Sequence, residues 1–198
     1  MSKKLWLSLV GIGVISSGFI VSDVGAEGRE GTTEVQVNFV RDGDPGDPDG
    51  ALRFEQVLED FSFGEQSISS SSQTYTVTDG IERFVEVTDN RGTGAGWDVH
   101  VRAPQLASEN AELTGAELLL TPSSISSDSS NVSNPPSLSG TIRVTDAAQS
   151  IISAGVNEGL GTWETNFLPT NLELVVPPGT ARVDDYSTTI TWMLLSTP

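Results

Sequence analysis

The chain has 198 residues, with ten Lys and Arg against 27 Asp and Glu, for a net charge of −17 at neutral pH. Charge of that sign repels nucleic acid and anionic lipid, so neither is an expected partner. There is no cysteine and a single histidine, which excludes disulfides, thiol catalysis and a histidine-built zinc site.

The chain opens "MSKKLWLSLVGIGVISSGFIVSDVGA". Lys3 and Lys4 precede an apolar stretch, Leu5 to Val21, and small side chains at Val24 and Ala26 suit signal peptidase, which predicts a signal peptide over residues 1–26. The stretch is short for a spanning helix and lacks basic stop-transfer residues, so no stable membrane span is expected after cleavage. The remaining chain holds eight arginines, no lysine and 26 carboxylates, a net charge of −18. Without lysine there is no Schiff-base chemistry and no lysine P-loop.

Residues 27–50 read as an acidic N-terminal segment or linker. "VQVNFV" (35–40) alternates like a short edge strand. "RDGDPGDPDG" (41–50) is too rich in Pro and Gly for regular structure. Asp42, Asp44, Asp47 and Asp49 resemble a calcium loop, but the twelfth position, where an EF-hand needs Glu, is Arg53. These four aspartates are weak metal candidates, and a solvated acidic linker is the simpler reading. No cofactor is implied, although a divalent cation could bridge acidic residues to an anionic polymer.

Residues 51–198 read as one all-β domain, an antiparallel β-sandwich or barrel-like domain with long polar loops. Short alternating runs recur between Gly, Ser, Asn, Asp and Pro clusters. They are "RFEQVLEDFSFG" (53–64, Phe61 and Phe63 on one face), "QTYTVTD" (73–79), "ERFVEVTD" (82–89), "WDVHVRA" (97–103), "AELLLTP" (116–122) and "GTIRVTD" (140–146). "SIISAGV" (150–156), "TWETNF" (162–167), "LELVV" (172–176) and "DYSTTITWMLL" (185–195) complete about ten strands. Asp79-Gly80 predicts a tight turn joining the second run to the third. "AAQSIISAG" (147–155) is the one place where a helical turn competes with a strand. "SISSSS" (67–72) reads as a loop and "TPSSISSDSSNVSNPPSLSG" (121–140) as a long polar excursion, with a glycosylation sequon at Asn131 that proves nothing alone.

"DNRGTGAGWDVHV" (89–101) carries Gly92, Gly94 and Gly96. Its G-x-G-x-G spacing is not the dinucleotide fingerprint, a strand follows it, and no lysine follows for a P-loop. It reads as a turn in which Asn90 and the glycines supply backbone freedom. Beyond it the strand period puts Trp97, Val99 and Val101 on one face and Asp98, His100 and Arg102 on the other. In "YSTTITWMLL", Tyr186, Thr188, Ile190, Trp192 and Leu194 share a face. In both strands a tryptophan and the aliphatic residue two places on point the same way. The pattern leaves two roles open: core packing, or a surface groove in which Trp97, Trp163 or Trp192 stacks on sugar rings.

These residues resemble the WxL-domain family, surface proteins of Gram-positive bacteria. "VTDNRGTGAGWDV" (87–99) is similar to the family's first motif, with Val99 in place of Leu, a conservative change for packing. Tyr186 through Trp192-Met193-Leu194 is similar to the second. "FSFGEQSISSSSQTY" (61–75), "LTGAEL" (113–118) and "EGLGTW" (158–163) agree in position, so the resemblance spans roughly residues 51–198. It implies non-covalent attachment to the cell wall through peptidoglycan, a motif core of Trp97, Val99, Trp163, Tyr186, Trp192 and Leu194, and association with other WxL or companion surface proteins. No LPxTG-like signal is present, so covalent anchoring by sortase is not expected.

The expected function is therefore peptidoglycan binding by a secreted, wall-associated domain. The alternative is a scaffold subunit whose wall contact is made by a partner, docking through β edges or the Ser-rich loop. An enzyme is not expected. Asp184-Asp185 and Glu55-Glu59 are pairs that arise by chance in so acidic a chain, His100 has no nucleophile elbow beside it, and no catalytic motif is present.

Overall fold

A computed structural model describes Val37 and residues 50–197. The chain divides into two units, Met1–Asn38 and Phe39–Pro198, and every element among the described residues lies in the second. The predicted signal segment, the rest of the 35–40 run, and Asp42, Asp44, Asp47 and Asp49 lie outside the described residues.

Among the described residues there are twelve strands and no α-helix. They are β1 Leu52–Gln56, β2 Gln73–Thr76, β3 Arg83–Asp89, β4 Trp97–Arg102, β5 Glu117–Leu120 and β6 Ser124–Ser127, followed by β7 Ser137–Leu138, β8 Ile142–Val144 and β9 Gln149–Ala154. The set ends with β10 Gly161–Phe167, a single 3-10 turn at Pro169–Asn171, β11 Leu172–Val176 and β12 Thr191–Ser196. They form three antiparallel sheets, ordered β1-β3-β10-β6, β2-β11-β5-β8 and β12-β4-β9-β7. Each sheet is a row with two edges, so no barrel closes and the sandwich is the architecture.

The alternation in sequence becomes burial because a strand's successive side chains point to opposite faces. In the first sheet Val85 and Val87 oppose Thr165 and Trp163, and all four are buried. In the second, Leu172 and Leu174 oppose Leu120 and Leu118. In the third, Val99 and Val101 oppose Leu194 and Trp192. These inner faces merge into one apolar core. Each fully buried Val, Leu or Ile contributes about 1.5–3 kcal/mol, a main source of stability in a chain without disulfides.

Four sequence expectations need correction, and one open alternative, at 147–155, is decided. The 53–64 run is a strand only to Gln56; residues 57–69 have no regular structure, although Phe61 and Phe63 do share a side and meet edge-on at 5.7 Å. Asp79-Gly80 turns the chain, with Gly80 at φ 73°, but β2 and β3 lie in different sheets, so the turn is a corner and not a hairpin. The polar excursion contains β6 and β7. Pairing uses backbone groups, and β6 needs only Ile125 to face inward opposite Thr165. In 147–155 the strand wins: the register jumps between Val99 and His100, Ile151 is the extra residue, and both Ile151 and Ile152 are fully buried. The closing strand begins at Thr191, so Tyr186 and Ile190 precede it in irregular chain.

Candidate functional site

The glycine stretch is organised around a buried ion pair. Asp89 ends β3 with its side chain fully enclosed, and Arg91 returns over it with only 7% of its side chain exposed. Arg91 Nε and Nη2 donate to the two carboxylate oxygens at 2.9 and 2.8 Å. Nη2 also donates to the Gly96 carbonyl at 2.7 Å, and Nη1 donates to the Ser196 hydroxyl. The Thr197 hydroxyl donates to the Ala95 carbonyl at 2.8 Å. The loop thus ties the end of β3, the start of β4 and the end of β12 together. Gly96 sits at φ 87°, where an added Cβ would lie 2.3 Å from the Ala154 carbonyl oxygen, so only glycine fits. Sequence reading found the turn and missed the ion pair; "D-x-R" beside glycines was the available signal.

The three described tryptophans separate into two kinds. Trp97 is 1% exposed and its indole N–H donates to the Gly159 carbonyl at 3.0 Å. Trp163 is 6% exposed and its N–H donates to the Leu160 carbonyl at 2.9 Å. Both rings are enclosed and both N–H groups are used, which leaves no face open for a sugar. Val99 is fully buried, and Leu194, opposite it on β12, is half-buried against the same core.

Residues 131–134 complete this region. The Asn131 amide donates to the Leu160 carbonyl at 3.0 Å, its carbonyl accepts the Ser133 N–H, and the Ser133 hydroxyl accepts the Leu160 N–H. The sequon's side chains are therefore engaged in holding the turn that receives the Trp97 and Trp163 indoles.

Trp192 differs. It is half-buried, stands edge-on to Phe167 of the first sheet at 6.3 Å, and among the described residues its N–H has no hydrogen-bond partner. It lines a cleft of about 1230 Å³. The second sheet forms the floor, through Leu118, Leu174 and Val176. One wall is the irregular segment that carries Phe61 and Phe63; the other is the chain leading to β12, with Tyr186 and Ile190. Tyr186 is fixed there by accepting the Arg182 backbone N–H at 3.2 Å.

The first wall is anchored by Arg83, 4% exposed on β3. Its guanidinium donates to the Asp60 carbonyl at 3.3 and 3.1 Å, to the Ile81 carbonyl at 3.0 Å, and to the Asp79 carboxylate at 3.3 and 2.6 Å. It also lies 5.9 Å from the Phe61 ring centroid. All five donors are used, so a segment without secondary structure gains a fixed place. Sequence reading did not single out Arg83.

Charge at the cleft is negative. Asp184 is held below the usual carboxylate range by the Ser108 hydroxyl, the Asp185 backbone N–H and the Asn110 amide. The Asp184-Asp185 pair thus lies on a cleft wall, while Glu55, on β1, is outside the cleft and has its carboxyl lowered by the Thr88 hydroxyl and by Arg53. His100 and Asp98 are on the outer face of the third sheet. Among the described residues no group of three or more His, Asp or Glu side chains is placed to hold a metal ion.

The described residues thus form an antiparallel β-sandwich with a large cleft lined by aromatic side chains. A model of the family described as "WxL domain surface cell wall-binding" matches residues 26–198, and the chain belongs to that family. It is a family of cell-wall-binding surface domains, which points to the cell surface, and no helix among the described residues is long and apolar enough to cross a membrane. No curated protein and no solved structure shows significant similarity to the chain.

Proposed function

We propose that this protein binds peptidoglycan non-covalently at the bacterial surface, and that the cleft lined by Trp192 and Tyr186 makes the contact. The observation that carries the reading is the contrast among the tryptophans: Trp97 and Trp163 are enclosed, while Trp192 borders an open cleft with its N–H free among the described residues. Sugar C–H faces pack on aromatic rings as apolar groups do, and an indole N–H adds a directional bond to a hydroxyl or carbonyl. Such contacts need no bulk charge attraction, which suits a protein of net charge −17. In this reading Trp97, Val99, Trp163 and Leu194 hold the core that positions β12, and Tyr186 and Trp192 meet the ligand. Secretion by the leader belongs to the same reading, and a mature N-terminus at Glu27 would support it. No bond is broken, so release of reducing sugar by the pure protein would contradict it.

Co-sedimentation with purified peptidoglycan, from acidic to neutral pH and with or without calcium, is the test. Retention of the protein and its loss in Trp192→Ala are expected. Absence of retention in every condition would overturn the reading. Retention that required a companion surface protein would favour a scaffold subunit instead.

A further inference from the structure

The cleft has a charge pattern that selects among wall components. Among the described residues five carboxylates line it, Glu59, Asp60 and Glu65 on one wall and Asp184 and Asp185 on the other, against one cation, Arg182. All five acidic residues are exposed, and among the described residues none of them is in a salt bridge. Val57, Ile68 and Val183 also line the cleft and are 37%, 54% and 95% exposed. Exposed valines and isoleucines lining an aromatic cleft leave small apolar groups a place to bind.

A phosphate-bearing wall polymer would meet like charge on both walls. A bare glycan would use the rings and leave five carboxylates without a role. A peptide stem with a free amine and alanine-sized side chains matches both features, its ammonium to the carboxylates and its methyls to the exposed apolar side chains. Resting on the reading of the cleft as the wall-binding site, we propose that the cleft, beside the sugar contact on its rings, recognises the amine-bearing peptide stem of peptidoglycan and so prefers peptidoglycan to a bare glycan or an anionic wall polymer.

The test compares four insoluble or polymeric probes with the purified protein: peptidoglycan, the same peptidoglycan with its free amines acetylated, chitin, and a glycerol-phosphate polymer. Affinity for acetylated peptidoglycan is expected to fall about tenfold, as loss of a well-placed charge contact does. The double substitution Asp184→Asn with Asp185→Asn, with its fold checked by circular dichroism, is expected to show a similar loss on native peptidoglycan and no change on the acetylated form. Equal affinity for native and acetylated peptidoglycan, or binding to chitin or glycerol-phosphate polymer as tight as to peptidoglycan, overturns the stem assignment; if Trp192→Ala still abolishes retention, the cleft remains the wall site. Retention of Trp192→Ala at wild-type level, or no retention of the wild type, overturns both.

Discussion

Trp192 and Phe167 meet edge-on, ring centroids 6.3 Å apart and planes at 74°, across two sheets of the sandwich. Phe167 is fully buried, while Trp192 is half-buried and also borders the cleft. One indole is therefore shared by the core and the candidate site. The closing strand that bears it is aligned by Val99 and Val101 of β4, which face Leu194 and Trp192.

Trp192→Phe should separate those two roles. A phenyl ring keeps part of the contact with the core, and the replacement is expected to cost about 0.5–3 kcal/mol by urea unfolding. Peptidoglycan retention should fall much further than stability, because the larger ring face and the N–H are lost. A parallel loss of stability and retention would assign Trp192 to packing alone.

Gly159 and Gly92 both sit at positive φ, 68° and 66°, but only Gly159 is crowded. A Cβ at Gly159 would fall 2.6 Å from the Ala154 Cβ and 2.8 Å from Trp97 Nε1, whereas nothing lies within 4 Å at Gly92. Gly92→Ala is expected to cost about 1–2 kcal/mol from backbone strain alone. Gly159→Ala adds a clash to that strain and is expected to cost about 1–3 kcal/mol more. Chemical denaturation of the two variants checks the order, and equal costs would contradict the close approach of the Trp97 ring.

Arg91→Ala would leave the Asp89 carboxylate enclosed without its partner. Breaking a buried pair from one side costs about 3–5 kcal/mol. The same change frees the Gly96 carbonyl and Ser196, so hydrogen exchange at the end of β12 should rise. A cost under about 1 kcal/mol would mean that the pair does not tie the loop.

Asp79 has its carboxyl lowered, chiefly by its hydrogen bond from Arg83 and then by the Ile81 backbone N–H. A depressed carboxyl stabilises the folded state above its unfolded pKa, and that contribution disappears as pH falls through the folded value. Asp184 and Asp128 are lowered in the same direction, the latter by Ser130. The melting temperature is therefore expected to be flat near neutrality and to fall below about pH 4. Asp79→Asn should flatten that acid limb, and an unchanged limb would contradict the role given to the Arg83 contact.

How much of this was legible in the sequence depends on what each feature needs. Period-two alternation exposed β3, β4, β10 and β11, because their inner residues are large and apolar. It passed over β6 and β7, which are held by backbone pairing and offer Ile125 and Leu138 as their inward anchors. It extended β12 back to Asp185 because alternation continues there; the backbone leaves the sheet before Thr191, and Tyr186 and Ile190 become cleft wall. Which tryptophan was enclosed could not be read locally. Trp97 and Trp192 both stand on alternating strands, and only the turn at Gly159 and the segment at Phe61 decide which one is covered. The ion pair of Asp89 and Arg91 and the anchoring by Arg83 were hidden for a related reason, since a charged residue reads as solvated until its burial is known.

The most direct test of the account follows the indole N–H signals by nuclear magnetic resonance, assigned with single Trp→Phe variants, as soluble peptidoglycan fragments are added. The Trp192 signal is expected to shift with saturating behaviour, while those of Trp97 and Trp163, bonded to the Gly159 and Leu160 carbonyls, stay in place. A Trp192 signal that does not move while fragments bind, or changes confined to Trp97 and Trp163, would contradict the account.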